Sequence, residues 1–89
     1  MLHIVNKSPL ERSTLDSCLA AAQPGAAVLL IEDGVYAATR GNTAESKLRA
    51  ASARLDIYVL APDLEARGMA QALAEGVRPI DYAGFVELV

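Results

Sequence analysis

The chain has 89 residues, enough for one domain spanning residues 1–89 with its own core, yet small enough for partners to matter to its stability. Eleven Asp and Glu outweigh eight Lys and Arg, for a net charge of −3, and no segment interleaves basic with aromatic residues, which argues against direct nucleic-acid binding. A single cysteine, Cys18, and a single histidine, His3, leave neither a disulfide framework nor a structural zinc site.

The apolar runs are too short to span a membrane, and the amino terminus lacks the basic-then-apolar pattern of a secretory signal. The predicted compartment is the cytoplasm, where a lone thiol stays reduced.

In chain order, Leu2 to Val5 reads as a short strand that runs into Asn6-Lys7-Ser8-Pro9. Ser8 is a good helix N-cap, Pro9 then takes the first helical position, and Glu11 the third, where it closes a capping box. In that predicted helix Leu15, Cys18, Leu19 and Ala22 form an apolar stripe, and Gln23-Pro24-Gly25 stops it. The stretch from Val28 to Ala38 is the centre of the sequence. Four large apolar residues, Val28 to Ile31, predict a parallel strand covered on both faces, and Glu32-Asp33-Gly34 breaks it with a polar turn.

Val35 to Arg40 reads as a short helical segment ended by Gly41. Asn42 or Thr43 then caps a helix with Glu45 in its first turn and Ala44, Leu48, Ala51 and Leu55 as its apolar stripe, leaving Lys47, Arg49 and Arg54 outside. Ile57 to Leu60 is a third strand, and Ala61-Pro62-Asp63 turns the chain into a short helix terminated at Arg67-Gly68. Met69 to Glu75 reads as a further helical turn or two. Val77 to Ile80 is a fourth strand whose proline suits an edge, and Asp81 caps a last helix with Tyr82, Phe85, Val86 and Val89 on one stripe. Alternating strands and helices predict an α/β fold of three layers, α/β/α, in which helices cover both faces of a small, mainly parallel sheet.

The chemical equipment is thin. Cys18 is the one sulfur nucleophile or persulfide carrier on offer, but mid-helix on an apolar stripe it reads more simply as a packing residue. His3 lies within a strand with no serine or cysteine near it in sequence. Glu32 and Asp33 are adjacent, so their side chains diverge, and a solvated turn accounts for them as well as an acid/base pair does. Neither a G-x-G-x-x-G nor a G-x-x-x-x-G-K loop is present, and two carboxylates after the second strand would repel a phosphate. No cofactor and no metal are called for.

Four blocks carry a resemblance: Met1-Leu2-His3 with Asn6-Lys7-Ser8-Pro9; Leu29 to Ala38; Leu60 to Gly68, with Asp63-Leu64 and Ala66-Arg67-Gly68; and Ile80-Asp81-Tyr82 with Phe85-Val86. In this order and spacing the chain resembles the DsrH/TusB family of sulfur-relay proteins, in the DsrEFH-like superfamily. The resemblance implies a heterohexamer with DsrE/TusD-like and DsrF/TusC-like subunits, passing persulfide sulfur between the carriers TusA and TusE or DsrC, in tRNA wobble-uridine 2-thiolation or in sulfur oxidation. It also implies that the principal sulfur-carrying cysteine sits on the DsrE/TusD-like partner.

The context Leu15, Ser17, Cys18, Leu19 is similar to the DsrH branch. Members usually continue past the last helix with an apolar and aromatic tail, whereas this sequence reads to Val89. Under the resemblance Glu32, Asp33, Gly34 and Tyr36 form a partner interface. Two alternatives stay open at this point: an independent sulfurtransferase using Cys18, and a homo-oligomeric binding module.

Overall fold

The computed structural model describes residues 2–6, 19–20, 22–39, 45–69, 71–74 and 76–88. Most of the predicted first helix, including Ser8, Pro9, Glu11 and Cys18, lies outside these residues, as do Asn42, Thr43, Ala44 and Val89; Leu19 and Ala20 are helical, as predicted.

Four strands, β1 (Leu2–Val5), β2 (Ala27–Leu30), β3 (Asp56–Leu60) and β4 (Val77–Ile80), form one sheet in the order β1-β2-β3-β4, all parallel. Between β2 and β3 lie a 3-10 helix, Glu32–Ala38, and helix α1, Glu45–Ala51. Helix α2, Ala61–Ala66, follows β3 directly, and α3, Tyr82–Leu88, follows β4. This is the α/β class that the alternating pattern predicts.

Strand order decides how the layers fill. When strands are laid down in sequence order, right-handed crossovers all pass over the same face. That face carries Val5, Val28, Leu30, Ile57, Val59 and Val77, which share one buried cluster with Val35 and Ala38 of the 3-10 helix, Leu48 and Ala51 of α1, Leu64 of α2, and Leu19, Ala22 and Leu55. The other face presents the register row Ile4, Leu29, Tyr58, Arg78, and beyond it Leu60 beside Ile80. Helix α3 starts beside one corner of it, with none of its residues buried: a methyl group added at Gly84 would meet Ile80 Cβ at 3.1 Å. Helices thus lie on both faces, but unevenly.

β2 is buried on both faces, with Val28, Leu29 and Leu30 fully enclosed, as its unbroken apolar run predicts. The turn before it also forms as expected: Gly25 takes the left-handed backbone (φ 88°), and its N–H donates to the Arg54 carbonyl. Arg54 in turn donates from Nη1 to the Ala22 carbonyl and from Nη2 to the Leu19 carbonyl, closing the exposed end of the preceding helix. β4 is an edge strand, as Pro79 suggests, and Asp81 caps α3 by accepting the Gly84 N–H at 2.8 Å.

Three elements differ from expectation. The helical segment after β2 begins at Glu32, three residues earlier than the polar turn suggests, because Glu32 itself makes the turn with a positive φ of 48°. α1 ends at Ala51, and Leu55 reaches the core from the bend that follows. Between α2 and β4 the chain adds no helical turns among the described residues. Gly68 (φ 68°) donates to the Glu65 carbonyl and Met69 to the Leu64 carbonyl, the paired bonds of a Schellman stop, and Leu73 then pairs with Thr39 in an isolated antiparallel bridge. The Ala74 N–H completes this seam on the Ala38 carbonyl at 2.6 Å. Alanine-rich sequence favours helix locally, but here the backbone bonds to the 3-10 helix prevail.

Candidate functional site

The carboxyl ends of the parallel strands converge on one rim, the edge where open α/β sheets bind their ligands. Carboxylates follow three of the strands: Glu32 and Asp33 after β2, Asp63 in the first turn of α2 after β3, and Asp81 after β4.

The 3-10 helix is the centre of this rim. Its entry is the left-handed Glu32, exposed, whose N–H donates to Asp63 Oδ2 at 2.6 Å. One turn on, the Gly34 N–H donates to the Ile31 carbonyl at 2.8 Å, and the Ile31 N–H to the Val5 carbonyl at 3.0 Å. Gly34 is buried so tightly against the Val5 carbonyl group that any Cβ there would collide with backbone. Val35 and Ala38 face the core, and Tyr36 emerges with 39% of its surface exposed. The Tyr36 carbonyl accepts from both the Thr39 N–H (3.4 Å) and the Thr39 hydroxyl (2.8 Å), which closes the segment.

Of the residues that the sequence singles out, Glu32, Asp33, Gly34 and Tyr36 all fall on this one element. Glu32 and Tyr36 reach the surface, whereas Gly34 shapes the rim from beneath. Cys18 is outside the described residues. His3 is half-buried on β1, in the register row of Val28, Ile57 and Val77 on the covered face.

Asp63 is the rim residue that sequence reasoning passed over as a site. The structure brings it there through strand register: β2 and β3 pair in parallel with Leu30 beside Val59, so the residues just past the two strand ends face each other. The sequence also passed over the thinly covered sheet face. There Arg78 stacks over the Tyr58 ring, its guanidinium carbon 5.5 Å from the centroid, and its Nη2 pairs with Asp56 Oδ1 at 3.1 Å, while Ile4 on the edge strand is 48% exposed.

The rim offers carboxylates, a phenol and backbone groups, with no nucleophile set against a base among the described residues. That inventory suits recognition of another surface better than covalent chemistry. No three His, Cys, Asp or Glu side chains gather to hold a metal ion among the described residues, and no helix among them is long and apolar enough to cross a membrane. A shallow cleft of about 410 Å³ lies away from the rim, between Leu19-Ala20 and α1; its polar lining is Lys47 and Arg54, the latter already engaged with backbone carbonyls.

The profile of the family described as "DsrH like protein" matches residues 7–89. Protein TusB of Pectobacterium parmentieri is 42% identical over 88 residues, which span 99% of this chain and 90% of that protein. Protein TusB of Escherichia coli O1:K1 and of Shigella boydii serotype 18 are each 38% identical over 88 residues, with the same coverage. A profile match over nearly the whole chain, together with identities of this size, shows that the chain belongs to the DsrH family.

Proposed function

We propose that this chain is a subunit of a sulfur-relay assembly, working in the thiolation of the tRNA wobble uridine, in the cytoplasm. The observation that carries this reading is the likeness to the DsrH family and to proteins named TusB over nearly the full chain. Its partners are a DsrE/TusD-like subunit, which holds the main reactive cysteine, and a DsrF/TusC-like subunit, in a heterohexamer; TusA delivers sulfur and a TusE-type carrier removes it. The rim at Glu32, Asp33 and Tyr36, with Gly34 supporting it from below, is the surface that meets a sister subunit. Its inventory of carboxylates and an exposed tyrosine supports a recognition role.

Reconstitution tests this directly. Mixed with the two sister subunits, the chain is expected to co-elute as one assembly that accepts sulfur from a persulfidated TusA. Failure to co-elute, or turnover of persulfide by this chain alone as fast as by the assembly, overturns the reading.

A second reading is favoured by one feature, the Leu15, Ser17, Cys18, Leu19 context that resembles the DsrH branch of sulfur oxidisers. In it Cys18 itself carries persulfide. Mass spectrometry after exposure of the chain to a persulfidated donor separates the two: a gain of about 32 Da on Cys18 supports the carrier role, and an unmodified Cys18 supports the accessory one.

A further inference from the structure

The sheet ends in two edges of unlike character. β4, on one side, carries Pro79, which has no N–H to offer, and Arg78, whose side chain is 64% exposed. Proline and charge are the usual devices that keep an edge strand from pairing. β1, on the other side, has neither: Leu2–Val5 contains no proline, aspartate, glutamate, lysine or arginine, and Ile4 is 48% exposed.

The ladder shows which backbone groups of β1 are left over. The Val5 carbonyl accepts the Ile31 N–H at 3.0 Å, with Val5 in register with Leu30, so Val5 turns its backbone groups towards β2. In a parallel pair the N–H and C=O of one residue point to the same neighbour, and the direction alternates along the strand. His3 therefore faces β2 as Val5 does, while Leu2 and Ile4 direct both of their backbone groups away from the sheet. β1 stands at the end of the strand order, so no strand among the described residues receives them. Donors and acceptors spaced in this way are matched by another extended strand.

We propose that a second copy of this chain supplies that strand, β1 against β1, in an antiparallel pair that joins the two sheets into one. The contrast between the edges argues for this occupant. Head-to-tail addition of β4 to β1 would propagate without closing, and Pro79 and Arg78 oppose it, whereas β1 against itself is symmetric and closes at two copies. The strand is also self-complementary about His3. A twofold axis there sets Leu2 opposite Ile4 of the second copy, and Ile4 opposite its Leu2, each pair exchanging both outward backbone bonds. The two His3 residues then face each other at the intervening position without backbone bonds. Leu2 and Ile4 share the thinly covered face, so the pairing buries apolar side chains where the chain leaves them open, and no like charges meet along the strand. The same axis turns the two carboxyl rims to opposite ends. Each rim stays free, and the pairing does not depend on the function proposed above.

A strand of this length makes a small interface, so the association is weak and is read by concentration. Sedimentation velocity of the full chain from about 1 µM to about 1 mM is expected to show reversible exchange between monomer and dimer, rising no further. Ile4→Lys, which puts a charge on the open edge, raises the dissociation constant about tenfold or more, while Val86→Asp on the exposed stripe of α3 changes it by less than about twofold. A second measurement reads the register even where a variant folds poorly. Cys18 is the sole thiol, so in a Cys18→Ser background His3→Cys is expected to give a covalent dimer on mild oxidation, and Arg78→Cys on the opposite edge to give none. A chain that stays monomeric throughout the range overturns the proposal. So does a dimer that Val86→Asp dissociates and Ile4→Lys spares, which would place the contact on α3, and so does cross-linking that fails at His3→Cys or is equally efficient at Arg78→Cys.

Discussion

On one face of the sheet, Val5, Val28, Leu30, Ile57, Val59 and Val77 disappear beneath the 3-10 helix, α1 and α2; on the other, the row Ile4, Leu29, Tyr58, Arg78 is met by α3 at one corner. Parallel sheets are ordinarily covered on both sides, since their crossover helices pack there. Here the order β1-β2-β3-β4 places the 3-10 helix, α1 and α2 on the same side. The thin face compensates near β3 and β4 with groups that tolerate water, the Asp56–Arg78 pair and the Tyr58 ring under the guanidinium. Towards the β1 edge it does not, and Ile4 is left about half exposed. The apolar stripe of α3 is likewise open, with Tyr82 at 59% and Val86 at 73% exposure. The first face carries the main buried cluster, while the second buries Leu29 and Leu60 and leaves its margin at Ile4 and α3 open.

That contrast breaks most visibly at the 3-10 helix. Gly34→Ala forces a Cβ into the Val5 carbonyl, where neither backbone can give way, so a loss of about 4 kcal/mol is expected in urea unfolding. Leu48→Ala, which empties a fully buried position on the covered face, should lose about 3 kcal/mol, with the midpoint of thermal unfolding lowered by at least about 10 °C. On the thin side the effects shrink. Asp81→Ala removes the cap of α3 and should cost about 1 kcal/mol, while Asp81→Asn, still an acceptor for the Gly84 N–H, costs less than half of that. Arg78→Ala breaks an exposed pair and its stacking on Tyr58, and should shift stability by no more than about 0.5 kcal/mol. A loss at Arg78 as large as that at Leu48 would mean that the two faces are not as different as their burial indicates.

Much of this architecture was legible beforehand. All four strands, the stop at Gly25, the cap at Asp81 and the edge position of the Pro79 strand are local properties, written in apolar runs, proline and glycine within a few residues of one another. The grouping of Glu32, Asp33, Gly34 and Tyr36 was legible for the same reason: they are neighbours in sequence and remain neighbours on one element. Asp63 was harder to see as their partner. It joins them across two parallel strands through a bond between residues 31 apart, and nothing in its own surroundings marks it as more than a carboxylate in a first helical turn.

The sequence by itself determined the alternation of strand and helix, the caps and stops, the burial of β2 on both sides and the family, because each is encoded in short-range pattern or in likeness along the whole chain. Only the tertiary structure decided that the strands line up in sequence order, that one face is thinly covered among the described residues, that Gly34 is pressed against β1, and that the 3-10 helix begins on a left-handed Glu32 held by Asp63. Periodicity says which side of a strand is apolar. Which neighbour comes to lie on that side depends on strand order and the handedness of the crossovers, and those are settled by contacts between distant parts of the chain.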